Sequence, residues 1–332
     1  MAETAPAVDG ERQKKKQPVW LWIFIFLLAA ILLYFTLRGL DWDTFWQTAV
    51  HGRYEILLLT IPIASLNYFI RSIRWGVLVN AENKASAITV FWANMAGYLG
   101  NSFLPARVGE LVRSAFLGRR TGAGMSFVLA TALVERLLDL VALVIIGSTA
   151  LLFQGGLTSI LAGSLKLLIV AGLLGLAVVI IVPFQEQRVL ALTSKLPFPG
   201  KIGPKVTEQI GRFILGMRSL HNFRRLVFFI LLTAVIWLVD GWLNVIGVRI
   251  ISHSLGLGQA LIYLAGLGLS SAIPSTPGYV GVYQFVAVSI LGPFGFSRAD
   301  ALAYSLIGQI SNYLVISFWG LLGLWQINRS RV

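Results

Sequence analysis

The sequence predicts an all-α polytopic membrane protein with six full spans plus two re-entrant helical hairpins in an inverted-topology repeat. Three observations carry this. Hydrophobic residues fill 57% of the 332 positions and charged residues only 12%, a balance outside the range of soluble domains. Six apolar runs are each long enough to cross a hydrocarbon core about 30 Å thick. Two further stretches, 86–120 and 257–291, are apolar at their ends yet interrupted in the middle by proline, glycine and polar residues.

In chain order, residues 1–18 form a basic tail (Arg12, Lys14, Lys15, Lys16), expected to be disordered and cytoplasmic. Residues 19–37 are the first span; with no small-residue cleavage site near its end, it is a retained helix and not a signal peptide. Residues 41–55, with Trp42 and Trp46, suit a mixed-charge outer loop at an interface. The second span starts near residue 56 and ends at Arg71, Arg74 and Trp75, which read as inner-face anchors. The third runs over 123–153, followed by an outer loop, 154–164, without Lys or Arg.

The fourth span, 165–182, leads into the most basic stretch, 185–225, carrying Arg188, Lys195, Lys201, Lys205, Arg212, Arg218, Arg224 and Arg225. The positive-inside bias assigns it to the cytoplasm. From residue 206, Ile210, Phe213, Ile214 and Met217 recur at helical spacing, so this half is either a surface-lying amphipathic helix or a solvated connector. The fifth span is 226–250 and the sixth 299–326, with Arg329 and Arg331 beyond it. Both termini are expected in the cytoplasm of a multi-pass protein of the cell (inner or plasma) membrane.

The break at 97–113 reads G-Y-L-G-N-S-F-L-P-A-R-V-G-E-L-V-R. A spanning helix would not carry Pro105, Arg107, Gly109, Glu110 and Arg113 in its path, because unpaired backbone and bare charge are costly in hydrocarbon. A segment that enters, breaks and returns on one side accounts for both the apolar flanks and the polar middle. The second break, S-S-A-I-P-S-T-P-G-Y-V-G-V-Y at 270–283, mirrors it. The chain thus divides into 19–153 and 165–326, each with two spans, a broken segment and a long span. Each half makes an odd number of full crossings, so the second copy is inverted, a layout of many secondary transporters. Aligned, Pro105 matches Pro274 and Gly109 matches Gly278. Proline ends a helix without wasting a donor, and glycine lets backbone approach a ligand closely. Two such tips facing a common cavity form one reading; kinks packed inside a bundle form the other.

Charge inside the third span is the next signal. V-E-R-L-L-D-L places Glu135 roughly 18 Å along the helix, near a bilayer midplane, with Asp139 one turn further on the same face and Arg136 beside Glu135. Carboxylates buried there require cations, for which Arg107, Arg113 and Arg136 are candidates. The cluster is either a self-satisfied ion network fastening the re-entrant segment or a site where surplus Arg meets a lipid phosphate and a carboxylate meets an amine or a proton. Asp240, mid-way along the fifth span with Asn244 one turn on, is either a proton-coupling acid or a protonated hydrogen-bonding group. Gln309 and Asn312 add polarity to the sixth span.

Composition also excludes. The chain has no cysteine, which removes disulfides, thiol catalysis and Cys-ligated metal. His51, His221 and His253 have no ligand spacing, so no metal or cofactor is expected. No Walker motif marks ATP as a driver. Lys and Arg outnumber Asp and Glu by 27 to 14, an excess explained by cytoplasmic loops or by anionic lipid. Its scatter between spans argues against nucleic acid.

The runs N-S-F-L-P-A-R-V-G-E-L-V-R, E-R-L-L-D and I-P-S-T-P-G-Y-V-G-V-Y, in that order, resemble the transmembrane flippase-like family of the lysylphosphatidylglycerol synthetases. This is the flippase domain of the multiple peptide resistance factor, found also in stand-alone form. The resemblance implies movement of a phospholipid between leaflets, in the best-understood members an aminoacylated phosphatidylglycerol. It carries over Asn101, Pro105, Arg107, Gly109, Glu110 and Arg113 from the first motif, and Glu135, Arg136 and Asp139 from the second. Pro274, Pro277, Gly278 and Gly281 come from the third. The full-length synthetases continue into a soluble aminoacyl-transfer domain where this sequence stops at Val332, so synthesis of lysyl-lipid is not expected of it.

The expected function is therefore that of a non-enzymatic lipid transporter for a phospholipid, aminoacylated or otherwise amine-bearing. Against it stands a non-transporting scaffold that holds a lipid-modifying enzyme through 185–225. An intramembrane enzyme using Glu135 and Asp139 as acid and base lacks a nucleophile or metal motif to support it. Phospholipid, the membrane, a second copy and a lipid-modifying enzyme are the partners considered. Gly320-x-x-Gly323 permits helix packing without counting protomers.

Overall fold

A computed structural model describes residues 19–80, 84–104, 107–155, 159–194, 202–271 and 276–329. The basic tail at 1–18, Pro105, Pro274, Lys195, Lys201 and Arg331 lie outside the described residues. Everything regular is helical, with no strand among the described residues. The order is α1 (Val19–Leu37), α2 (Trp42–Val50), α3 (Leu57–Val79), α4 (Ala87–Phe103), α5 (Val108–Thr121), α6 (Met125–Gln154) and α7 (Ser159–Ile181). Then follow α8 (Glu186–Ser194), α9 (Ile202–Arg218), α10 (Phe223–Gly247), α11 (Leu257–Ser270), α12 (Val282–Leu291) and α13 (Arg298–Arg329).

Five helical stretches are long and apolar enough to cross a membrane: those containing α3, α6, α7, α10 and α13. A sixth span counts only if α1 and α2, bent by 92° at their junction, are taken as one. Large apolar side chains such as Phe24, Leu58, Leu231 and Leu321 cover the outside, as lipid contact requires.

Residues 41–55, expected as a loop, contain α2. Asp41 caps it by accepting the Thr44 N–H at 3.0 Å, and Phe45 packs with Leu40, Ala299 and Leu302 where α2 lies on α13. A nine-residue helix gives too short a periodic signal to stand out beside Asp41, Asp43 and two tryptophans. The basic stretch 185–225 holds α8 and α9. The apolar stripe of α9 does not lie free on a surface: Ile214 and Met217 are buried with Trp75, Leu117 and Val128 against α6.

In both broken segments the flanking helices pack on each other, α4 with α5 and α11 with α12. They exchange partners between the halves of the chain: α4 packs along α13, and α11 packs along α6. Across the middle, α3 packs on α10. Gly320 and Gly323 serve the first contact, since a Cβ at either would come within about 3 Å of the Met95 or Trp92 carbonyl oxygen of α4. That glycine pair is used inside the chain.

Candidate functional site

Three arginines and three carboxylates interlock where α3, α5 and α6 meet. Arg74, with no exposed surface, donates through Nη1 to Asp139 Oδ1 (2.6 Å) and through Nη2 to Asp139 Oδ2 (2.9 Å) and Glu135 Oε1 (3.0 Å). Arg113, 1% exposed, donates to Glu110 Oε2 (2.6 Å), Glu135 Oε2 (3.2 Å) and Asn94 Oδ1 (2.5 Å), with its guanidinium 4.3 Å from the Trp75 ring. Arg136 donates to Glu110 Oε1 at 3.2 Å, which also accepts from Asn101 Nδ2 at 3.2 Å. The i, i+4 spacing of Glu135 and Asp139 brings both onto Arg74, and each charge has an opposite partner.

Arg71 and Arg74 are not inner-face anchors of α3. The helix continues to Val79, which leaves both arginines inside it on the face turned to α6 and α10. Arg71 pairs with Asp240, whose other oxygen accepts from Asn67 Nδ2 at 2.6 Å. A signal for this was available: Asn67, Arg71 and Arg74 recur at steps of four and three, one polar stripe on an otherwise apolar helix.

Beside the network lies a cavity of about 430 Å³, lined by α3, α4, α6, α10, α11 and α13, and by the two breaks. Of the expected residues, Asn101, Arg107, Arg136, Asp139 and Asp240 line it; Glu110, Arg113 and Glu135, enclosed behind it, do not, and neither do Gly109, Pro277, Gly278 and Gly281. Seven of the nine tyrosines line it as well (Tyr68, Tyr98, Tyr263, Tyr279, Tyr283, Tyr304 and Tyr313), together with Trp237. Sequence reasoning had no means to gather these tyrosines, because they come from six separate segments.

The two breaks touch. Arg107, at φ 53°, precedes α5 and donates through Nη2 to the carbonyl oxygen of Ser271, the residue that ends α11. It pairs with no carboxylate among the described residues. Tyr279, at φ 58°, is the left-handed non-glycine residue of the second break, three positions beyond the one that aligns with Arg107. Non-glycine residues in this region cost about 1–2 kcal/mol each and persist only where surrounding contacts hold them.

Equal spacing did not mean equal roles for the two glycines. Gly109 sits within α5, where a Cβ would overlap the Gly97 carbonyl oxygen and fall 2.7 Å from Asn101 N, so it permits the close approach of α4 and α5. Gly278 instead takes φ 76° in a 3₁₀ turn that Pro277 opens. The Gly278 carbonyl accepts from Tyr313 Oη (2.5 Å) and from Gln309 Nε2. Gln309 in turn accepts from Gln284 Nε2 at 2.6 Å, and Gln284 accepts the Gly281 N–H at 2.7 Å. Charges hold the first break; uncharged amides hold the second.

From this follows a stability prediction. Gly109→Ala is expected to lower the thermal midpoint of the purified protein by an amount corresponding to about 1–3 kcal/mol or more, because backbone atoms cannot move aside. Gly308→Ala, where an added Cβ meets nothing within 4 Å, should leave it near wild type. Equal midpoints for both variants would show that the hairpin is looser than described.

Apolar spans enclosing a cavity with polar side chains on part of its wall, beside a neutralised charge cluster, define a multi-pass membrane protein with an interior site. The chain belongs to the family of the lysylphosphatidylglycerol synthase TM region, which it matches over residues 22–320. It is similar to a UPF0104 membrane protein of Methanocaldococcus jannaschii, 24% identical over 69% of this chain and 94% of the relative. A UPF0104 membrane protein of Pyrococcus horikoshii is 25% identical over 80% of this chain and 83% of that protein.

Proposed function

We propose that this protein moves a phospholipid between the leaflets of the cell membrane, the headgroup passing through the cavity between the breaks while the acyl chains stay in lipid. One observation carries the reading: Arg107, at the tip of the first break, lines the cavity, reaches across to the end of α11, and has no carboxylate partner among the described residues. A cation held at a helix N-terminus in a recess of low dielectric suits a phosphate oxygen.

The inverted repeat is part of the same proposal. The reciprocal contacts of α4 with α13 and α11 with α6 are those that a two-fold axis in the membrane plane would generate, with α3 and α10 meeting at the axis. The short helices α2 on α13 and α9 on α6 fit the same exchange. In this arrangement the α4–α5 hairpin enters from the cytoplasmic side, where both termini lie, and the α11–α12 hairpin enters from the other. No chemical step is assigned to the chain, and its carboxylates act by neutralising arginines.

The test is reconstitution. Labelled phospholipid placed in one leaflet of protein-containing liposomes should equilibrate, and Arg107→Ala should slow it by roughly tenfold, the loss of one charge-assisted bond. An unchanged leaflet distribution with wild-type protein, or the same rate for both, would overturn the reading.

A further inference from the structure

Resting on the cavity as the headgroup passage, we infer that the preferred headgroup is an anionic, hydroxyl-rich phosphate ester, a polyol or glycosyl phospholipid, and not an amine-bearing one. The first ground is charge. Every carboxylate at or behind the cavity is engaged: Glu110 by Arg113 and Arg136, Glu135 by Arg74 and Arg113, Asp139 by Arg74, and Asp240 by Arg71. An ammonium entering there would have to displace an arginine from a buried pair, leaving that arginine uncompensated. It would also meet Arg107 and Arg136 on the cavity wall, and like charges repel there more strongly than in water. A phosphate meets Arg107, which no described carboxylate neutralises, while Asp139 and Asp240 on the same wall are each held by an arginine.

The second ground is the aromatic lining. An aromatic cage suits a quaternary ammonium when no cation stands nearby, which the arginines rule out here. What remains is the other use of a ring face, contact with the weakly positive C–H hydrogens of a polyol or sugar. Four of these rings form two pairs on the wall: Tyr279 and Tyr283 stack at 4.7 Å and 8°, and Tyr68 and Tyr98 lie 5.2 Å apart. The hydroxyls of Tyr98, Tyr279 and Tyr283 make no hydrogen bond to another described residue, although all three line the cavity.

The third ground is unmet hydrogen-bonding capacity. Asn67 Nδ2 is held by Asp240, which fixes the amide so that its oxygen is the acceptor, and this Oδ1 has no partner among the described residues. Trp237 Nε1, also on a cavity-lining residue, is a donor without one. Uncharged donors and acceptors beside tyrosine hydroxyls match alcohols, which both give and accept hydrogen bonds, better than they match an ammonium, which can only give.

The experiment compares four lipids in the same liposome assay: phosphatidylinositol and phosphatidylglycerol against phosphatidylethanolamine and phosphatidylcholine. The first two should exchange at least roughly tenfold faster. Tyr283→Phe, which keeps the ring and removes only the hydroxyl, should narrow the gap without unfolding the protein. Equal rates, or faster exchange of the amine lipids, would overturn the headgroup assignment and leave lipid movement standing. If no lipid moves, the transport reading falls, and thermal shift with soluble headgroups decides the cavity chemistry. Stabilisation by inositol phosphate but not by phosphocholine supports the assignment, and equal response to both overturns it.

Discussion

Gly308→Trp is expected to abolish lipid exchange, by at least roughly tenfold, in a protein that still folds. Gly308 lies on α13 one residue before Gln309, and it lines the cavity. A Cβ added there meets no atom within 4 Å, so the indole projects into open space instead of into packed neighbours. Replacing glycine inside a helix also removes a backbone-entropy cost of about 0.5–1 kcal/mol, which offsets ordering of the new ring. Filling the cavity thus obstructs the route without breaking a contact. The checks are a monodisperse elution profile, a thermal midpoint within a few degrees of wild type, and leaflet exchange in liposomes. A folded variant that exchanges lipid at the wild-type rate would falsify the passage.

Arg74→Met is expected to be the most destabilising single change in the chain, at about 3–5 kcal/mol. Arg74 has no exposed surface and makes three hydrogen bonds to Asp139 and Glu135. Its loss leaves Asp139 without its bidentate partner, and a buried unpaired charge is far more costly than a buried pair is stabilising. The sign of the second change separates this cause from lost packing. In Arg74→Met with Asp139→Leu, both charges are gone, Glu135 keeps Arg113, and much of the stability should return. If the double variant is as unstable as Arg74→Met, the cost lies in the volume and shape of the arginine, not in the charge it neutralises. Denaturation of both variants in matched detergent, read by intrinsic tryptophan fluorescence, distinguishes the two.

The ion network shows how far residue spacing reaches. Glu135 and Asp139 share a helix face because 3.6 residues make a turn, and that much is fixed locally. Which cations neutralise them is decided by neighbours from elsewhere in the chain. Arg74, 61 positions before Glu135, supplies the partner that spacing alone had not identified, while Arg113 and Arg136 close the cluster through Glu110. The glycines Gly109 and Gly278 teach the same lesson from the other direction: identical spacing from a proline, but one serves helix contact and the other a left-handed turn.

By itself the sequence determined the helical class, the long apolar segments, the two interruptions and the need for buried charge to be neutralised. Each is a local consequence of transfer cost and backbone geometry over some 20 residues. Only the tertiary structure decided that α4 crosses to α13 and α11 to α6, that Arg107 touches the end of α11, and that seven tyrosines gather around one cavity. Those facts depend on which apolar face meets which, and many faces of similar hydrophobicity could satisfy the same burial; the choice among them is made by shape at contacts such as Gly320 and Gly323 against α4, which no single helix contains.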